Sequence, residues 1–95
     1  MKRVTDAQLE AVVKRLNEMT NSPVEPYAKT VVGRYANVGN YHLDYAYGKV
    51  RLVRMSNVSG GINTITQLGT KRECLSEIFA FRDGYLAALA NFHKN

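Results

Sequence analysis

A chain of 95 residues with 13 basic and 8 acidic side chains, net charge +5, fits one domain, residues 1–95, with a limited core. Its 45% hydrophobic and 22% charged content excludes a disordered chain. The longest apolar run, residues 85–92, is far short of the ~20 residues of a membrane span. The basic start Met1-Lys2-Arg3 has no apolar stretch behind it, so neither membrane anchor nor signal peptide is expected.

The first predicted helix opens at Thr5-Asp6-Ala7-Gln8, a capping box with Thr5 as N-cap and Gln8 at the third helical position. Leu9, Val12, Val13, Leu16 and Met19 follow at helical spacing, with Glu10, Lys14, Asn17 and Glu18 assigned to the polar side. Asn21-Ser22-Pro23 ends it, because proline disfavours helix in the residue before it.

Antiparallel strands follow. Residues 30–36 read as a first strand, weakened by Gly33, and Asn37–Asn40 as a turn. Residues 41–47 and 50–56, rich in aromatic and branched side chains, read as a hairpin, and Ser59-Gly60-Gly61 turns into a short strand over 62–66. A two-residue loop at either Tyr47-Gly48 or Gly48-Lys49 puts Tyr41, Leu43, Tyr45 and Tyr47 on one face with Val50 and Leu52. His42, Asp44, Lys49, Arg51, Val53 and Met55 then share the other. The Tyr/Leu face is expected to be buried.

The last helix starts at a second capping box, Thr70-Lys71-Arg72-Glu73. Leu75, Ile78, Phe79, Leu86 and Leu89 form its stripe, broadened by Cys74, Phe81, Tyr85 and Phe92. Gly84 marks a kink, a close helix contact or an earlier helix end. The expected fold is α+β: an antiparallel meander of three to four strands, flanked by N- and C-terminal helices packed on one face, in the order α-β-β-β-β-α.

Chemistry is sparse. His42 and Asp44 lie two apart on a strand and share a face, but no nucleophile is placed beside them, so a solvated or structural pair is expected. His93 lies where a cation suits a helix end. Cys74, alone, admits no internal disulfide, which favours a reducing compartment, and reads as a small buried apolar residue. One cysteine and two distant histidines offer no metal-ligand spacing, and the glycines form no phosphate loop. Neither cofactor, small-molecule substrate nor enzymatic activity is expected. Lys71 and Arg72 open a helix where an anion is already favoured, and Lys49 and Arg51, with Arg34 and Arg54 nearby, could form a strand-borne basic patch. Lys49, Arg51, Lys71, Arg72 and His42 are the candidate binding residues.

The order helix, strands, helix, with basic residues starting the last helix, resembles in layout the double-stranded-RNA-binding domain, in which such residues meet phosphates; its run of lysines and alanines is absent here. Gly39-Asn40-Tyr41-His42-Leu43-Asp44-Tyr45-Ala46-Tyr47-Gly48, Leu52-Val53-Arg54-Met55, Ser59-Gly60-Gly61 and Gly69-Thr70-Lys71-Arg72-Glu73 resemble small uncharacterised bacteriophage proteins. The resemblance implies a phage or prophage accessory protein in the host bacterial cytoplasm. The expected function is non-enzymatic binding of a macromolecule, a protein or a second copy of the chain first and nucleic acid as the alternative, with no membrane involved.

Overall fold

The computed structural model describes residues 3–31 and 33–93. The chain runs α1 (Asp6–Met19), β1 (Tyr27–Thr30), β2 (Gly33–Ala36), β3 (Tyr41–Ala46), β4 (Lys49–Met55), β5 (Ile62–Thr64) and α2 (Lys71–His93). It is α+β with a helix at each end, as expected. The strands form two antiparallel sheets, β1-β2 and β3-β4-β5.

Both capping boxes are made. Thr5 Oγ1 accepts from Gln8 N at 3.1 Å and Gln8 Oε1 accepts from Thr5 N at 2.8 Å; Thr70 and Glu73 repeat the exchange at 3.1 and 2.9 Å. Asn21, at φ 56°, ends α1, and Ser22 N reaches back to Asn17 O at 2.8 Å. That six-to-one bond with a left-handed asparagine satisfies the last carbonyls before Pro23 is reached. Gly84 does not end α2, which runs unbroken for 23 residues, about 35 Å at 1.5 Å per residue.

The strand predicted over residues 30–36 is instead a reversal. Thr30 pairs with Gly33, so Tyr27–Thr30 and Gly33–Ala36 form a hairpin arm; Val32 lies outside the described residues. Gly33 takes φ 148°, a backbone that side chains rarely adopt, so it starts a new strand rather than weakening a continuous one. Most of the arm is exposed, and only Ala36, at its base, is buried.

The central hairpin adopts the first of the two possible loops. Tyr47 and Gly48 take φ 55° and 71°, the left-handed pair of a two-residue turn whose twist matches the strands, and Ala46 pairs with Lys49. This register puts Leu43 opposite Leu52 and Asp44 opposite Arg51. Tyr41, Val50 and Leu52 are buried under Leu9, Val13 and Leu16 of α1 and Cys74 and Ile78 of α2, with Leu43, Leu75 and Phe81 packed at the margin. The Tyr41 and Phe81 rings meet at 5.7 Å and 60°. The expected burial fails at two tyrosines. Tyr47 sits in the turn and is 95% exposed, and Tyr45 lies near the hairpin end at 48%.

Ala36, Val53 and Met55 are buried outside that core. The base of the arm and the 56–61 loop are tied to their end of the sheet: Ala36 N donates to Val58 O, Asn37 N to Pro26 O and Gly39 N to Met55 O. The whole measures 44 × 43 × 19 Å, two layers thick. No helix among the described residues is long and apolar enough to cross a membrane.

Candidate protein-binding surfaces

The five residues singled out by sequence fall into two places. Arg51 lies on the sheet face away from the helices. Its guanidinium holds Asp44 through two nitrogens at 2.8 Å and donates to Thr64 Oγ1 at 3.1 Å, as the Asp44–Arg51 register dictates. Lys71 and Arg72 stand at the start of α2. Lys71 Nζ reaches Asp6 Oδ1 at 3.2 Å, and Tyr45 donates to the same carboxylate oxygen at 3.3 Å. Lys49 stands close enough to Glu73 to help hold its carboxyl below the usual range, behind the larger effect of Thr70's backbone and hydroxyl. Lys49, Lys71 and Arg72 therefore gather at one end of the molecule, and Arg51 and Lys71 are engaged by carboxylates.

His42 is half-buried, with Nδ1 3.1 Å from Asn40 Oδ1; Asn40 Nδ2 in turn donates to Pro23 O at 2.7 Å. Burial pushes the imidazole below its ordinary value, while Asp44 pulls the other way. Asp44 is held by Arg51, and His42 by Asn40. Cys74, in the first turns of α2, is fully buried; burial pushes its thiol up, and Thr66 Oγ1 stands 4.0 Å from its sulfur. Among the described residues no three His, Cys, Asp or Glu side chains gather to hold a metal. The expectation for the His93 side chain lies outside the described part of the structure.

Two features that sequence alone did not isolate stand out. The first is the outer half of α2. The core takes Cys74 and Ile78, with Phe81 at its margin, and among the residues of α2 whose side chains are described none beyond Ile78 is buried. The stripe continues nonetheless: Leu86 is 43%, Leu89 41% and Phe92 77% exposed, and no charged residue occurs between Gly84 and His93. Back toward the body, this face borders a groove of about 290 Å³ between the helices, walled by Val12, Leu16, Met19, Ile78 and Phe79, with Arg15 and Arg82 at its sides.

The second is the outer edge of β3. Asn17, assigned to the polar side of α1, is 1% exposed; its amide accepts from Tyr41 N at 2.8 Å and donates to Tyr41 O at 2.9 Å. A side-chain amide thus replaces a neighbouring strand. Since Tyr41's backbone groups point away from β4, those of Leu43 and Tyr45 do too. Beside this edge lies a cleft of about 420 Å³ lined by Val13, Lys14, Val24, Glu25 and His42 among others. Tyr45's hydroxyl is pushed up to about 12 by burial first and then by Asp6 and Glu10.

Exposed apolar helix faces and open strand edges are features through which proteins can bind one another. No protein-family model matches this chain, and comparison with curated proteins and with solved structures finds no similar one.

Proposed function

We propose that this chain is a non-enzymatic accessory protein that acts by binding another protein, and that the outer half of α2 with its adjoining groove is the surface it uses. The observation that carries this reading is the exposure of Leu86, Leu89 and Phe92 on a helix segment free of charge. Each leucine moved from water into an interface contributes up to about 2 kcal/mol, and no charge in the segment opposes the transfer. The phage-type setting, and with it the host bacterial cytoplasm, rests on the resemblance of residues 39–48 and 69–73 to phage proteins.

Capture from bacterial lysate tests the proposal, with nuclease present and with the Leu86→Glu/Leu89→Glu variant alongside the native chain. A protein retained by the native chain and lost by the variant supports it; the same retention by both removes this surface.

Nucleic-acid binding through Lys49, Arg51, Lys71 and Arg72 is the second reading. In its favour, residues 26–70 hold five basic side chains and one acidic. Against it, Arg51 and Lys71 already have carboxylate partners. Phosphate contacts make affinity fall steeply with salt, so a mobility assay without any shift at low salt eliminates it.

A further inference from the structure

We infer that the outer edge of β3, from Leu43 to Tyr45, is a second protein-binding surface, which takes an extended, lysine- or arginine-bearing segment of a partner protein as an added antiparallel strand. The inference goes beyond the α2 reading and uses none of its residues. β3 stands at the end of the order β3-β4-β5, so one of its sides has no strand beside it. In an antiparallel pair the backbone groups of alternate residues turn toward the partner strand and away from it. Asn40 O accepts from Met55 N, so His42 and Asp44 also turn toward β4, and Tyr41, Leu43 and Tyr45 turn outward. Asn17 fills the first of these places by bonding both groups of Tyr41. Tyr47, at φ 55°, leaves the strand at the other end. Leu43 and Tyr45 are left, each with an outward N–H and C=O, about 7 Å apart along the strand. Another extended backbone has the same repeat and bonds all of these groups at once.

Charge selects the occupant. The chain as a whole carries +5, but its β3 edge does not share the excess. The cleft of about 420 Å³ beside that edge is lined by Glu10 and Glu25 against Lys14. Among the described residues neither glutamate has an ion-pair partner. Asp6, which the Tyr45 hydroxyl and Lys71 both reach, continues the row of carboxylates. The Glu10 charge is felt at the Tyr45 hydroxyl, so Glu10 stands beside the open part of the strand. A residue added opposite Leu43 or Tyr45 shares their face, the one on which α1 and Glu10 lie. A cation there gains a partner, whereas an anion adds to the carboxylates already present.

NMR titration of the isotope-labelled full chain with blocked hexapeptides tests this. The probes are alternating lysine and threonine, alternating glutamate and threonine, and two forms of the first that carry methyl groups on either the lysine or the threonine backbone nitrogens. The lysine peptide should shift the Leu43 and Tyr45 amide signals and slow their hydrogen exchange. Lysines on the α1 side are the residues whose N–H groups face β3. Methylating their nitrogens should therefore weaken binding about tenfold or more, and methylating the threonine nitrogens, which face away, by less than about threefold. Glu10→Gln should weaken the lysine peptide about two- to fivefold, the size of one exposed ion pair, with the melting of the free chain unchanged. No shift with any probe at millimolar concentration overturns the inference. So do equal affinities for the lysine and glutamate peptides, equal affinities for the two methylated forms, or an affinity indifferent to Glu10→Gln. The α2 reading is decided separately, by the capture with Leu86→Glu/Leu89→Glu, so either can fail alone.

Discussion

The two halves of α2 share one helix and one apolar stripe, yet only one of them is packed. In the inner half Cys74 and Ile78 are fully buried, and Phe81 meets the Tyr41 ring. In the outer half Leu86 and Leu89 remain about two-fifths exposed, and the segment carries no charge to keep it in water. Helical periodicity therefore states that a face must be covered, without saying by what. In a two-layer molecule 19 Å thick, the sheet and α1 run out before the helix does.

The sharpest break of this comparison is to truncate one leucine-class side chain in each half. Ile78→Ala should lower the unfolding free energy by about 2–5 kcal/mol, because the core cannot collapse into the space left. Leu89→Ala should change the dilute monomer by no more than about 0.5 kcal/mol, as at other exposed positions. Urea denaturation of the two variants at one low protein concentration reads the difference directly.

Asn17→Ala comes next. It leaves both backbone groups of Tyr41 without their partner at the sheet edge, and about 1–3 kcal/mol should be lost. The same denaturation series measures it, and a loss confined to a few tenths would mean that water replaces the amide.

Thr70→Ala, which removes the acceptor for Glu73 N at the start of the well-packed half, should cost about 1 kcal/mol. The smallest effect is pH-dependent. Burial holds the folded His42 below its ordinary value of 6.5, so the unfolded chain takes up this proton first. Stability should therefore be full above that value, decline as pH falls through it, and stop declining once the folded ring protonates as well. His42→Gln should remove this component of the slope in melting curves taken across acidic pH.

Much of the frame was legible in the sequence because it is local. Thr5-Gln8 and Thr70-Glu73 cap their own helices, and the two-residue loops considered at Gly48 both put Leu43, Val50 and Leu52 on one face. Tyr47 escaped that logic since the turn itself takes it out of the strand. The arm was missed for a related reason. A strand broken by Gly33 and a hairpin turning just before it have nearly the same composition, and only the backbone at Gly33 separates them. Asn17 was assigned to solvent because it neighbours Lys14 and Glu18 on the helix, whereas its role depends on Tyr41, 24 residues away. The stripe from Leu75 to Leu89 does not show which of its residues are covered, since periodicity does not report where the opposing surface ends.

Methyl NMR of leucine-labelled protein, compared between dilute buffer and nuclease-treated bacterial lysate, tests the central claim most directly. If the outer half of α2 is a protein interface, the Leu86 and Leu89 signals shift or broaden in lysate while those of buried Leu9 and Leu52 hold their positions. Leucine spectra that are superimposable in the two conditions would contradict it.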